Sequence, residues 1–339
     1  MAEKALDLIR EELGEVAAQE FPQRGGFRNL RAVGHVPKKD HFLYHVYADF
    51  ESGSEKLAIK VYRPNKCGGN ARAVAKAENS NLQYVRQTLK KKLTGVPRPL
   101  GDFSRHGAVV TDKLSGTPLQ SIIMKAALLP GYADDKSIGV VARRAGEWLR
   151  AFHKASSDMP EAFDSEEIME SLAAACKSCR GEGLDETSIR LILESARKAL
   201  ARVKKPMPTS AVLGDFTPLN VLVSEEGAGF SNFASMRRRG NSLEDAALFL
   251  ASVEALEKYP FCDRSITGQV QAGFLEAYGV TQSEAAVLRV MKMKALLSMF
   301  AQGRNGKTEA ERKQIIWATV MKKFIQNAAQ RMNSPAAAA

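Results

Sequence analysis

A change of hydrophobic period along the chain limits its fold more than any other feature. Apolar residues first alternate with polar ones in three runs, 28–36 (FRNLRAVGH), 42–50 (FLYHVYADF) and 56–63 (KLAIKVYR). A period of two belongs to strands with one buried face. The turn ESGSE joins the second run to the third as a hairpin. Two more short β-runs are expected near 97–103 and 107–113, and SGTP at 115–118 reads as a turn. From about residue 119 the apolar residues recur at helical spacing. Helices are predicted at 136–155 (inner face Val140, Val141, Ala145, Trp148, Leu149, Phe152), 164–178, 186–203, 243–257, 265–278, 282–302 and 308–332, with a β-like insertion at 211–233. Two earlier helices precede this region. One spans 3–18, with Leu6, Ile9, Leu13 and Val16 on one face; the other spans 70–91, with Ala73, Ala77, Leu82, Val85 and Leu89. The order predicts an α+β chain of two unequal lobes. Its parts are an N-terminal helix (1–25), a β-rich N-lobe (26–113), a helical C-lobe (114–332) and a disordered tail (333–339).

Composition narrows the class. With 45% hydrophobic and 26% charged residues over 339 positions, the chain can bury a large core. Cys67, Cys176, Cys179 and Cys262 are too scattered for a disulfide framework, so a reducing, cytoplasmic setting is expected. No signal peptide is read at MAEKALDLIREELGEV, and the most apolar stretch, 285–302, is interrupted by Arg289, Lys292 and Lys294, so no transmembrane helix is expected. The net charge of +11 suits an anionic ligand. The basic residues are dispersed, without an RNA-binding or zinc-finger pattern, so no nucleic-acid partner is expected.

Several stretches carry chemistry. Lys60 lies inside a strand with apolar neighbours, where an ammonium is costly unless paired. Either the strand is an edge and Lys60 meets water, or a partner waits. Glu78, on the following helix, is either a solvated residue or that partner. A strand lysine held by a helix glutamate is how a kinase-type lobe grips the phosphates of a nucleotide. In VVTDKLSGTPL a strand runs into a turn; Thr111, Asp112, Lys113 and Leu114 are where a hinge would offer groups to adenine. In LGDFTPLNVLV, Asp215 and Asn220 stand five apart around a proline, an arrangement open to turn chemistry or to catalysis. CKSC (Cys176, Cys179) has metal spacing but no second pair, so two small helix residues are the preferred reading. Arg237, Arg238 and Arg239 form a loop, mostly solvated, with one arginine available to an anion. The helix at 308–332 is expected to pack on its lobe by Ile316, Val320, Phe324 and Ala328, or by a second set, Trp317, Met321 and Ile325; weak membrane-surface contact is the alternative.

GDFTPLN resembles the catalytic loop of the aminoglycoside phosphotransferase and choline kinase family. The resemblance runs over about 28–280 and includes LAIKVY, Glu78, VVTDKLSGTPL, AGEWLRAFH, GFSNF and GNSLEDAALFL. It implies a protein-kinase-like fold and an ATP- and Mg²⁺-dependent transfer of phosphate to a hydroxyl of a small molecule. Asp215 would be the base or orienter, Lys60 and Glu78 the phosphate grip, and Asn220 and Asn232 the metal ligands. By the same resemblance Asp245 is a cap and loop anchor, and His153 packs and hydrogen-bonds.

Three departures stand out. Asn232 replaces the family's metal-binding aspartate, Leu213 replaces a histidine before Gly214, and no glycine-rich loop precedes Lys60, only Gly34 with Lys38 and Lys39. Mg²⁺ favours charged oxygens, so Asn232 predicts weaker metal affinity and a slower step. Two functions therefore follow: a small-molecule kinase acting on a sugar-type metabolite, or a catalytically weakened nucleotide-binding scaffold.

Overall fold

The computed structural model describes residues 2–38, 40–89, 93–129, 131, 135–180, 184–259, 261–304 and 311–332. Lys39 and the tail 333–339 therefore lie outside the described residues. The chain divides into two compact units, Met1–Gly116 with Gly229–Met236, and Thr117–Ala228 with Arg237–Ala339.

The first unit contains α1 (Ala2–Glu20), β1 (Phe27–Pro37), β2 (His41–Phe50), β3 (Gly53–Tyr62), α2 (Ala71–Leu89) and β4 (Ala108–Asp112). The strands form one antiparallel sheet in the order β1-β2-β3-β4. One face is the core. Tyr44, Val46, Ala48, Leu57, Ile59 and Val110 are buried there with Leu6, Ile9, Leu13 and Ala17 of α1. The N-terminal helix is thus built into this unit. The expected strand at 97–103 is reduced to a single bridge, Pro99 to Thr111, because Pro97 and Pro99 cannot donate to a ladder.

α2 buries Leu82 and Val85 as expected but departs from the expected face in its first half. Ala71, Ala75, Glu78, Leu82 and Val85 point inward, whereas Ala73 and Ala77 are exposed. Alanine is small enough for either side, and the inward stripe includes a glutamate, which a purely apolar search passes over. Residues 229–236 are tied to this unit. Phe230 donates its N–H to Gly95 O (2.9 Å), and Asn81 Nδ2 donates to Phe233 O (2.9 Å) and Met236 O (3.2 Å). A Cβ at Gly229 would meet Gly95 O at 2.8 Å, so this approach requires glycine.

The second unit follows with β5 (Thr117–Pro118), α3 (Leu119–Leu128), α4 (Asp135–Ala155), β6 (Asp158–Glu161), α5 (Ser165–Arg180), α6 (Glu186–Leu200), β7 (Met207–Val212), β8 (Val221–Ser224) and β9 (Gly227–Phe230), whose last residues pass into the first unit. After the excursion come β10 (Arg237–Asn241), α7 (Leu243–Glu254), α8 (Arg264–Tyr278), α9 (Gln282–Arg304) and α10 (Glu311–Met332). β10 corrects the expectation of a loop: Arg237 to Asn241 pair with β7, and Arg239 reaches the acids Asp158 and Glu161 of β6. β5 likewise corrects the second half of the SGTP turn, since Thr117 and Pro118 pair with β8.

Trp148, Phe152, Phe216, Phe249, Phe274 and Tyr278 form an aromatic core, with Phe249 and Phe274 stacked at 4.1 Å. Gly146 lets α4 meet α8 closely; a Cβ there would lie 2.5 Å from Phe274 O. Val140, expected inward on α4, is exposed. Lys292 on α9 is explained by its ion pair with the buried Glu254 at 2.6 Å. α10 turns Met321, Ile325, Ala328 and Ala329 inward, so Met321 and Ile325 of the second expected set and Ala328 of the first are buried; the side chains of Ile316 and Trp317 lie outside the described residues. Gln326 and Lys322 bind Ser188 and Asp185 at the start of α6. Among the described residues no helix is long and apolar enough to cross a membrane.

Candidate active site

In the first unit the site is built on β3. Lys60 lies on a central strand, not an edge. Its ammonium meets Glu78 Oε1 at 2.6 Å, Ser231 O at 2.7 Å and Asn232 Oδ1 at 3.3 Å. Glu78 is 1% exposed. A carboxylate buried that deeply is tolerable only if paired and hydrogen-bonded, and Glu78 has three donors: Lys60 Nζ, the Phe233 N–H (3.0 Å) and the Tyr62 hydroxyl (2.5 Å). Lys60 and Tyr62 are two residues apart and so leave the same face of β3. Burial, reinforced by the charge of Glu78, pushes the Tyr62 phenol far above its usual range, so it stays a donor. Tyr62, Asn81 and the Ser231 carbonyl were not anticipated. The signal for Tyr62 was its i+2 spacing from Lys60.

The stretch 111–114 sits in the same unit. Thr111 pairs in register with Ala58, on the face that carries Lys60. Asp112 faces away. Its Oδ1 accepts the Arg98 N–H at 2.5 Å and its own N–H goes to Arg98 O. Burial pushes the Asp112 carboxyl up, against the pull of Arg98. The Lys113 N–H is given to Lys56 O, and Leu114 is half-buried. The amides of Asp112 and Lys113 are therefore committed inside the unit. At the β1–β2 turn the Lys38 N–H donates to His41 O, and the Lys38 carbonyl accepts from Arg63.

In the second unit Asp215 and Asn220 share one loop. Asn220 Nδ2 donates to Asp215 Oδ2 (2.8 Å) and to Asp215 O (3.1 Å). The peptide N–H groups of Thr217 and Asn220 close the turn onto Asp215 O and Thr217 O. Gly214 adopts φ 73°, which glycine accepts without strain. Phe216 anchors the loop against Trp148 at 5.9 Å, nearly parallel. Beneath it Asp245, fully buried, accepts the N–H of Leu213 (2.8 Å) and of Gly214 (2.9 Å), and His153 Nε2 lies 3.1 Å from its Oδ2. His153 Nδ1 faces the Tyr278 hydroxyl at 2.9 Å. Asp245 thus anchors the loop. It does not cap α7, whose Leu243 N–H goes to Asn241. Leu213 turns its side chain into the core, so the support comes from Asp245 rather than from residue 213.

The expected metal ligands are both neutral. Asn220 turns its amide nitrogen to Asp215, and Asn232 turns its oxygen to an ammonium. A hard dication favours charged oxygens, so this pair does not fit a tightly held Mg²⁺. Among the described residues no group of three or more His, Cys, Asp or Glu could hold a metal ion. Cys176 and Cys179 are buried on α5, and burial pushes the Cys176 thiol up to about 12, which makes it inert packing. Arg237 and Arg239 are engaged in surface ion pairs with Glu244, Asp158 and Glu161.

A family model described as the phosphotransferase enzyme family matches residues 50–231, more than half of the chain, a span that includes Lys60, Glu78, Asp215 and Asn220. The chain belongs to the phosphotransferase enzyme family. Solved structures agree on the kinase-like fold of this phosphotransferase-family protein. A choline/ethanolamine kinase family protein from Mesorhizobium loti is 14% identical, with a TM-score of 0.53 over 94% of this chain and 96% of that one. The streptomycin–ATP ternary complex of APH(2")-IIa is 14% identical, with a TM-score of 0.52 over 94% and 97%. The ADP-bound aminoglycoside phosphotransferase APH(2'')-Ib is 14% identical, with a TM-score of 0.51 over 94% and 98%. No curated protein sequence matches the chain.

Proposed function

We propose that the protein transfers the terminal phosphoryl group of ATP to a hydroxyl of a small molecule. The observation that carries this reading is the Lys60–Glu78 pair, a 2.6 Å contact to a carboxylate held by two further donors. An ammonium fixed in this way is a preset charge for the phosphates. Asp215, on a loop tethered through Gly214 and Phe216, is assigned to orient or deprotonate the acceptor hydroxyl. Asn220 braces that carboxylate through Nδ2. The net charge of +11 disfavours a polycationic acceptor, so a neutral or anionic sugar-type metabolite is the class proposed. Because Asn220 and Asn232 are neutral, nucleotide binding should depend only weakly on Mg²⁺.

The same asparagines favour a second reading, a protein that binds nucleotide without appreciable turnover. The test is nucleotide-dependent melting, with and without Mg²⁺, of wild type, Lys60→Ala and Asn232→Asp, together with ATP turnover on a panel of sugars. ATP at about 100 times its Kd would stabilise wild type by about 2.7 kcal/mol, and Lys60→Ala should lose most of that. Turnover gained only in Asn232→Asp would select the second reading. No stabilisation by ATP in any variant would remove both.

A further inference from the structure

The sheet face that bears Lys60 continues past it. In register across the sheet, Val36, Leu43, Lys60 and Val109 make one row, and Gly34, His45, Ala58 and Thr111 make the next. Residues paired across antiparallel strands share a face, and rows two residues apart lie about 7 Å from each other. Unlike the opposite face, this one is only partly covered. Gly34 and Val36 are exposed, and Leu43, His45, Ala58 and Thr111 are half-buried. A Cβ at Gly34 would meet nothing within 4 Å, so there is open space over the neighbour of His45.

His45 is the anomaly of this surface. Its Nδ1 is shut away from solvent with no hydrogen-bond partner. A buried nitrogen left unmade costs about 1–3 kcal/mol, and an apolar ring would fill the place without that cost. Burial, with the nearby charge of Lys113, also holds the imidazole below its usual range, so the ring is neutral near pH 7 and carries one donor and one acceptor. Its torsion about Cβ–Cγ is two-fold and soft, so either nitrogen can be turned outward.

We propose that His45 is a specificity-determining contact for the nucleoside end of the nucleotide, hydrogen-bonding it on the half-open sheet face one row along from Lys60. This rests on the nucleotide reading given above. If Lys60 meets phosphate, the moiety about 7 Å farther along the face is the sugar and base. Small Gly34 and Ala58 on either side of His45 leave room for a flat ring beside the imidazole.

Calorimetric titration of the full chain tests it, using ATP, adenosine and inorganic tripolyphosphate against wild type, His45→Ala and His45→Phe. His45→Phe keeps a ring in place and guards against a folding defect. Both variants should bind ATP and adenosine about 5- to 10-fold more weakly, the worth of one hydrogen bond of about 1 kcal/mol, with tripolyphosphate affinity unchanged. ATP affinity within about twofold of wild type in both variants, or an equal loss for tripolyphosphate, would overturn the assignment. So would wild-type affinity in His45→Phe alone, since it would make the contact one of shape. If wild type binds neither ATP nor tripolyphosphate, the nucleotide reading itself fails and His45 falls with it.

Discussion

Substitution of Asp245 probes the loop that carries Asp215. The Asp245 carboxylate has no exposure and three partners: two peptide N–H groups at 2.8 and 2.9 Å, and His153 Nε2 at 3.1 Å. Asp245→Asn keeps the volume and one oxygen, but sets an NH₂ where the second oxygen stood. That NH₂ must face a donor, because both Leu213 and Gly214 present N–H groups. One buried donor is then unsatisfied and one charge-assisted bond is lost, which together cost about 2 kcal/mol or more. Asp245→Ala leaves both amides without an acceptor and should cost roughly 3–6 kcal/mol. For a unit of this size about 1 kcal/mol shifts Tm by about 2–4 °C, so Asp245→Asn should melt about 4–8 °C lower. Scanning calorimetry reads the shift, and amide hydrogen exchange reads protection at Leu213 and Gly214. If Asp245→Asn melts within about 1 °C of wild type with both amides still protected, the carboxylate does not hold this loop.

Two further outcomes follow from contacts elsewhere. Tyr62→Phe removes one of the three donors to Glu78; it should lower Tm by an amount equivalent to about 1–3 kcal/mol and weaken ATP binding, whereas an unchanged ATP affinity by titration would show that Tyr62 plays no part in positioning Lys60. Asp185 caps α6 through the Ser188 N–H and pairs with Lys322 at 2.6 Å, contacts that hold its carboxyl well below the usual range. Its contribution is present above the unfolded value and fades as pH falls through the folded one, so Asp185→Ala should cost about 1 kcal/mol at neutral pH and less below about pH 4. Urea midpoints at the two pH values compare the gap, and a gap that stays constant would refute the linkage.

Much of the candidate site could be read from residue order, because its parts lie on regular elements. The strand around Lys60 and the helix around Glu78 were readable from period alone, whereas their pairing was suggested by the way a kinase-type lobe holds phosphates, with a solvated Glu78 left open. What sequence could not supply was the direction of α2, since Ala73 and Ala77 look the same as Ala71 and Ala75 until Glu78 and Tyr62 are seen to meet. β10 was hidden for a related reason. Three arginines in a row resemble a solvated loop, and only pairing with β7, about thirty residues upstream, makes them a strand, with Arg237 and Arg239 meeting acids at its surface. His45 was missed because alternation in FLYHVYADF identifies a strand without showing which face is left open. The loop 213–220 was recognisable through its motif, but its support by Asp245 and His153 is tertiary, and the carboxylate lies about thirty residues downstream.

The segment 229–236 has a consequence for synthesis. It is encoded far beyond Gly116, yet its Phe233 amide and its Phe233 and Met236 carbonyls complete the hydrogen bonding of Glu78 and Asn81. A nascent chain emerging from the ribosome displays the whole four-stranded sheet long before those last partners exist. The amino-terminal unit must therefore wait, unfinished at its most polar buried point, until more than a hundred further residues have been translated.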